Sequence, residues 1–176
     1  MLDAALILMC SSTTDTLANG RPPAAYGNAH PLYAGYAAYQ TAEGLLMFGA
    51  WTNKQLSRLF RVFGENARAN EIDVTPRAKI SQYYKKDAEI IARNCLLRSA
   101  DEWEELLNDA RVPAARVRTI DEALRHSQIF SRELVQRLGH YESCEDATMV
   151  LGKAFSLSED DTSALSLPPL HGEHTD

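Results

Sequence analysis

Cysteine is scarce in this 176-residue sequence, and the three that occur stand far apart. Cys10, Cys95 and Cys144 are an odd number and include no Cys-x-x-Cys pair of the kind that binds zinc or carries out redox chemistry. This usage fits a reducing compartment better than an oxidising one, so we predict a cytoplasmic location.

Long apolar runs are also lacking. The apolar stretch at residues 4–10 is far shorter than the roughly 20 residues that a membrane-spanning helix needs. Asp3 precedes this stretch, where a signal peptide would carry basic residues. We therefore expect neither a signal peptide nor a membrane partner.

Basic residues are outnumbered, with 18 Lys and Arg against 24 Asp and Glu, for a net charge of -6. Because nucleic acid is held mainly by cations that neutralise phosphates, we exclude it as a partner. Hydrophobic residues make up 45% and charged residues 24%, which is typical of one globular domain at this length.

Residues 2–17 predict a helix that ends near Asn19 and Gly20. This helix is apolar around much of its circumference, as in helices that are buried on several sides. A single small domain seldom provides such cover, so we expect residues 1–20 to form a linker helix that packs on something outside the remaining domain.

The next segment predicts a β-hairpin, with strands at 33–40 and 45–48 around turn residues at 41–44. An amphipathic helix follows, capped by Thr52 or Asn53 and ending at Gly64. Its apolar positions recur at i, i+3, i+4 and i+7, and they are Leu56, Leu59, Phe60 and Phe63.

Three further helix starts are recognisable. Pro76 is expected at the first position of one helix. Ser99 and Thr119 are each followed three residues later by a glutamate, which is the pattern of a capping box. A short strand is predicted at residues 112–118, between the two capped helices.

The short apolar runs at residues 134–138 and 148–151 predict edge strands or a meander. An extended arm is predicted near the end, because Pro168 and Pro169 interrupt any regular element. Taken together, the elements predict an α+β fold with a small antiparallel sheet and helices packed on one side. We place the boundaries at 1–20, 21–160 and 161–176.

The titratable residues give no sign of a catalytic or metal centre. Asp101 and Asp121 stand in first helical turns, where a carboxylate stabilises the helix dipole, so we interpret them as structural. His171 and His174 are spaced like a metal pair, but such a pair needs a formed helix and a third ligand. We therefore predict no metal site here, and we interpret Tyr83, Tyr84 and Trp103 as packing residues.

Several separate segments resemble the class III CoA-transferases, which include formyl-CoA and carnitine CoA-transferases and a related acyl-CoA racemase branch. Residues 27–31 read Gly-Asn-Ala-His-Pro before the Thr-x-x-Gly turn at 41–44, and residues 52–55 read Thr-Asn-Lys-Gln before Leu56. Residues 170–175 read Leu-His-Gly-Glu-His-Thr, where the family usually has Leu-Gly-Glu-His-Thr. The order and spacing of these segments over nearly the whole chain carry the resemblance.

The resemblance implies a transfer of CoA between an acyl-CoA and a carboxylic acid. Family members are considerably longer and begin with a large domain whose aspartate attacks the acyl-CoA thioester. We therefore expect this chain to be the C-terminal part, with residues 21–160 as the small domain and no catalytic residue of its own. The linker helix and the arm would pack on the large domain, and the chain would be inactive alone.

The racemase branch places a catalytic glutamate near the position of Thr52, so its absence favours the transferase branch. Thr52 itself is interpreted as a helix cap.

The resemblance also implies a substrate-facing loop at residues 27–35, which corresponds to a mobile glycine-rich segment in the transferases. We expect Asn28, His30, Tyr33 and Gly35 to face substrate or CoA. His30 either contacts substrate or orders the loop, and both interpretations stay open. No tightly bound cofactor is expected, and the CoA thioester enters as a substrate.

Two hypotheses follow for the whole chain. In the first, it is a fragment or split subunit that a second polypeptide with the catalytic half completes. In the second, it is an independent binding or oligomerisation module derived from that domain. Apolar surface on residues 2–18 would drive self-association in either case.

Overall fold

The computed structural model describes residues 1–137, 149–153, 155 and 172. Contacts divide the chain into two compact units, Met1–Val117 and Arg118–Asp176. This division falls inside the range predicted as one small domain, and the predicted boundaries at residues 20 and 160 stay predictions.

The first unit contains most of the helices and a three-stranded sheet. Its elements are α1 (Leu2–Leu8), α2 (Cys10–Asn19), β1 (Tyr36–Gln40), β2 (Leu45–Gly49), α3 (Asn53–Val62), α4 (Asn66–Val74), α5 (Arg77–Ile80), a 3-10 turn (Ser81–Tyr83), α6 (Tyr84–Cys95), α7 (Ala100–Asp109) and β3 (Ala114–Arg116). The second unit contains α8 (Ile120–Leu124), α9 (Ser127–Ser131), β4 (Val135–Arg137) and β5 (Met149–Leu151).

The sheet is antiparallel in the order β1-β2-β3, with Ala37 opposite Phe48 and Leu46 opposite Arg116. Side chains alternate between the two faces of a strand. Leu46 and Phe48 of β2 are buried in the core, which lies on the helical side of the sheet. The predicted α+β fold with helices on one side of an antiparallel sheet is therefore confirmed.

The core joins the sheet to α3, α6 and α7. The predicted stripe on α3 is confirmed, since Leu59 and Phe60 are fully buried. The Trp103 indole packs edge-on against Phe63, with ring centroids 5.0 Å apart, and its Nε1 donates a 3.0 Å hydrogen bond to the Cys95 carbonyl. Burial raises the pKa of the Cys95 thiol to about 12, so this cysteine stays protonated and acts in packing.

Helix α4 was not predicted from the sequence, because its inward-facing positions include a cation. Buried Arg68 donates from Nε to Asp87 Oδ1 of α6 at 2.7 Å and from Nη2 to Oδ2 at 3.0 Å. The same guanidinium also pairs with Glu71 at 2.8 Å. This bidentate ion pair joins α4 to α6. The hydrogen bonds to Asp87 raise the pKa of Arg68 above its usual value.

The helix predicted from Pro76 is divided into three segments, α5, the 3-10 turn and α6. Pro76 lies at the cap position, one residue before the first helical residue. Tyr83 is 38% exposed, and the Arg68 guanidinium lies 4.4 Å from its ring centroid. All three aromatic residues therefore take part in packing, Trp103 within the core, Tyr84 against it and Tyr83 on the Arg68 guanidinium at the surface.

The predicted N-terminal helix is broken at Met9, whose backbone leaves the helical region with φ -93° and ψ 23°. Neither α1 nor α2 contains a buried residue, and Ile7, Leu8 and Leu17 are 74%, 87% and 82% exposed. Gly20 ends α2 in a left-handed conformation, close to the predicted end.

The second unit confirms the predicted capping box and edge strands. The Thr119 backbone N–H donates to the Glu122 carboxylate at 2.9 Å, and β4 pairs with β5 in antiparallel register. Asp121 accepts from the Thr119 hydroxyl at 2.6 Å, which lowers the pKa of this carboxyl. The predicted C-terminal arm, with His171 and His174, lies outside the described residues.

In the part of the chain that the structure describes, no helix has the length and apolar character needed to cross a membrane. The same residues contain no group of three histidine, cysteine or acidic side chains arranged to hold a metal ion.

The Arg68–Asp87 pair gives a stability prediction. Arg68→Met leaves the Asp87 carboxylate buried without its cation, so we expect a loss of about 3–5 kcal/mol in the free energy of unfolding. Arg68→Met/Asp87→Leu removes both charges and recovers most of this loss. Urea titrations followed by circular dichroism measure both effects.

The control is Arg61→Met, which removes an ion pair with Asp73 whose side chains are 42% and 41% exposed. We expect this variant to lose no more than about 1 kcal/mol. An Arg68→Met loss as small as that of the control would contradict a structural role for the buried pair.

Candidate functional site

A groove of about 460 Å³ lies on the sheet face opposite the helices. One wall comes from the loop before β1, and the floor comes from outward-facing residues of the sheet. The lining residues are Gly27, Asn28, Ala29, His30, Pro31, Tyr36, Ala38, Leu45, Met47 and Val117. The lining is mostly apolar and contains no carboxylate or thiol, so it is suited to binding rather than to nucleophilic attack.

The loop that forms this wall is fixed to the edge of β1 by backbone hydrogen bonds. The His30 N–H donates to the Tyr36 carbonyl at 2.9 Å, and the Ala38 N–H donates to the Asn28 carbonyl at 3.0 Å. Ala29 thereby forms a bridge with Ala37. These bonds satisfy part of the outer edge of the sheet and hold His30 at the groove.

His30 Nδ1 accepts a hydrogen bond from the Leu32 N–H at 3.1 Å. In the neutral imidazole this bond places the proton on Nε2, which becomes a donor. Partial burial lowers the pKa of His30, and the positive charge of Arg77 lowers it further. His30 is therefore a neutral hydrogen-bond donor near neutral pH, so it orders its own loop and still has Nε2 available.

Four rings form an aromatic cluster beside the groove, and we call it the ring cluster. It consists of His30, Tyr33, Tyr36 and Trp51. The Trp51 ring centroid lies 5.2 Å from that of His30, 4.8 Å from that of Tyr33 and 5.8 Å from that of Tyr36, each in an edge-on arrangement. His30 and Tyr36 belong to both the ring cluster and the groove lining.

Arg77 of α5 completes this arrangement. Its guanidinium carbon lies 4.5 Å from the Tyr33 ring centroid and 4.9 Å from that of Trp51, and Nη1 donates to the Trp51 carbonyl. Sequence reasoning missed both Trp51 and Arg77. The two residues are 26 positions apart, so no local pattern connects them.

Gly35 occupies a different environment from the other three predicted site residues. It is buried, and a Cβ at this position would lie 2.7 Å from Leu56 Cδ1 and 2.9 Å from Ala50 Cβ. Its carbonyl accepts from the Ala50 N–H at 2.8 Å. Glycine is needed here because the backbone approaches Ala50 closely.

The structure thus brings together three of the four predicted site residues. Asn28 and His30 line the groove, and Tyr33 lies in the adjoining ring cluster. Gly35 is buried against Ala50 and the Leu56 side chain of α3, and it is not among the residues that line the groove.

Thr52 is a helix cap, as predicted. Its hydroxyl accepts from the Gln55 N–H at 3.1 Å, and the Gln55 side chain accepts from the Thr52 N–H at 2.9 Å. This reciprocal capping box fixes the start of α3 directly after Trp51.

A family model described as CoA-transferase family III matches residues 1–175 of the chain. Succinate–glutarate CoA-transferase of Agrobacterium fabrum is 28% identical over 153 residues, which cover 86% of this chain and 37% of that protein. Succinyl-CoA:glutarate CoA-transferase of Mus musculus is 22% identical over 150 residues, which cover 85% and 34%. The chain therefore spans about a third of the length of these relatives.

Solved structures share the fold. Rv3272 of Mycobacterium tuberculosis superposes with a TM-score of 0.76 at 19% identity, over 98% of this chain and 44% of that one. A CAIB/BAIF family protein of Brucella suis gives a TM-score of 0.69 at 22% identity, over 93% and 42%.

The environment of His30 gives a titration prediction. We expect its NMR titration midpoint to lie below 6.5, the ordinary value for histidine, because burial and Arg77 both disfavour the imidazolium. Arg77→Gln should raise the midpoint by removing the nearby cation. Lys79→Gln, on the same short helix, is the control and should change it less.

The same shift fixes the sign of a stability effect. Because the folded protein holds His30 with a lowered pKa, the unfolded chain binds more protons between the two pKa values. The contribution of His30 to stability is therefore fully present above pH 6.5 and is lost as the pH falls through the folded-state pKa. A midpoint at or above 6.5 would contradict this description of the site.

Proposed function

Because the chain belongs to CoA-transferase family III, we propose that it supplies the C-terminal, small-domain part of an enzyme that transfers CoA between an acyl-CoA and a carboxylic acid. The observation that carries this proposal is the family match over residues 1–175 together with coverage of only 33–37% of the curated relatives. The names of two relatives specify succinate or succinyl-CoA and glutarate, so these acids are the first candidates as substrates.

We propose further that the aspartate nucleophile lies outside these 176 residues, for example on a second polypeptide, and that the chain described by this sequence is inactive alone. Covalent catalysis needs a carboxylate that is free to attack in a desolvated site. The buried Asp87 is held by Arg68, Asp73 is paired with Arg61, and Asp101 is paired with Arg116 at 3.2 Å. None of these carboxylates lies on the groove lining.

In this proposal the groove is the face that this chain presents to the substrate. Asn28 and His30 supply polar groups at the groove, Tyr33 supports His30, and Gly35 sets the position of the loop. CoA acts as a substrate thioester, and no tightly bound cofactor takes part. A cytoplasmic location agrees with the wide spacing of the cysteines and with the use of CoA thioesters.

A second candidate function is that of a stand-alone binding or oligomerisation module. The observation that favours it is the exposed apolar surface of α1 and α2, where Leu8 and Leu17 are 87% and 82% exposed. Surfaces of this kind in soluble domains usually mark a contact with another chain. Packing of these helices against those of a second copy, with or without their exchange, would cover this surface.

The transfer proposal predicts no CoA exchange by the purified chain alone. The chain is mixed with succinyl-CoA and glutarate, and glutaryl-CoA is measured by liquid chromatography and mass spectrometry. The Agrobacterium fabrum relative, assayed in parallel, is the positive control. Turnover by the chain alone at a rate near that of the relative would show that a nucleophile lies within its own residues. This result would overturn the proposal that the nucleophile is supplied from elsewhere.

The exposed helices predict concentration-dependent self-association of the chain in sedimentation velocity runs. Leu8→Glu/Leu17→Glu should shift the distribution towards the monomer, because it places charges on the apolar surface. Ser11→Glu/Asn19→Glu, which adds the same charge at polar positions of α2, is the matched control. A wild-type chain that stays monomeric at all concentrations would rule out the oligomerisation module.

A further inference from the structure

Arg77 has no acidic partner among the residues that the structure describes. Its contacts there are the Tyr33 and Trp51 rings and the Trp51 carbonyl, to which it donates one hydrogen bond. A guanidinium carries five N–H donors, so several of them have no protein acceptor within this part of the chain. The side chain is also half-buried and held by two rings, which fixes the plane of its donors before any ligand arrives.

His30 supplies a second donor close to this cation. The Leu32 N–H occupies its Nδ1, which leaves the Nε2 proton available. The ring is in edge-on contact with Trp51 at 5.2 Å, and Arg77 is close enough to lower its pKa. A planar cation and a neutral N–H donor therefore lie around the same indole, at the margin of the groove.

We propose that Arg77 and His30 bind the carboxylate of a small organic acid beside Trp51, whose ring contacts both side chains. Arg77 meets the carboxylate through its planar fork, and His30 donates from Nε2. The apolar part of the acid extends into the groove past Tyr36. The place of this site in catalysis rests on the proposed function, in which a free acid accepts CoA, but the binding itself does not.

The charge of the site favours a carboxylate over a phosphate group of CoA. Arg77 is the single full positive charge in contact with the ring cluster among the described residues, and His30 is neutral. One cation matches the single charge of a carboxylate, and the guanidinium fork matches its two oxygens. A phosphate dianion would call for more positive charge than these side chains provide.

Binding can be measured on the whole chain through its two tryptophans. Trp51 is 45% exposed beside the proposed site, whereas Trp103 is buried with its indole N–H bonded to Cys95. In a ¹⁵N–¹H spectrum at pH 7, glutarate should shift the Trp51 indole signal saturably and leave that of Trp103 unchanged. Glutaramide, which has the same length and no charge, should shift neither signal.

Variants of Arg77 and Lys79 distinguish specific binding of glutarate from non-specific electrostatic attraction of an anion. Arg77→Gln should raise the dissociation constant for glutarate about tenfold or more, because a charge-assisted bidentate contact is lost. Arg77→Lys should bind with intermediate affinity, since it keeps the charge without the fork. Lys79→Gln, which removes an exposed charge two residues along the same helix, should bind glutarate like the wild type.

Three outcomes would overturn the proposal. They are equal binding of glutarate and glutaramide, equal losses in Arg77→Gln and Lys79→Gln, or tighter binding of inorganic phosphate than of glutarate. Unchanged circular dichroism of Arg77→Gln establishes that the variant is folded, and Arg77→Lys provides a second, milder test. Because these titrations need no CoA transfer, a failure of the proposed function would leave their result intact, and the reverse also holds.

Discussion

Strand β2 is apolar on both of its faces, and the arrangement of the first unit follows from that constraint. Leu46 and Phe48 point towards the helices and are almost completely buried, while Leu45 and Met47 point the other way and form the floor of the groove. A strand with one solvated face normally alternates between apolar and polar residues. Within this unit the helices cover one face, and the second apolar face becomes a binding surface.

The position of the ring cluster depends on how β2 joins α3. The strand ends at Gly49, and buried Ala50 lies in close contact with Gly35. Thr52 then caps α3. Trp51 lies between these two fixed points, so its ring is held where Tyr33, His30 and Arg77 can meet it. A capping box and a glycine contact, neither of them chemically reactive, therefore set the geometry of the candidate site.

Much of the fold could be predicted from the sequence because its signals are local. The capping boxes at Ser99 and Thr119, the stripe on α3 and the hairpin turn each lie within a few residues. The features that were not predicted depend on contacts between residues that are far apart in the sequence. Helix α4 is hidden because Arg68 faces inwards, and its partner Asp87 lies 19 positions away.

The candidate site divides in the same way. The loop with Asn28, His30 and Tyr33 was expected only from the resemblance to the CoA-transferases, whereas Arg77 reaches it through the folded path of α3 to α5. The apolar floor of the groove also bears on the proposal that the nucleophile lies outside these residues. If the thioester binds next to His30 as proposed, a nucleophile would approach over the groove face of the sheet, because helices occupy the other side. A polypeptide that delivers this carboxylate would also shield Leu45 and Met47 from water, so burial of apolar surface would help to bring the reacting groups together.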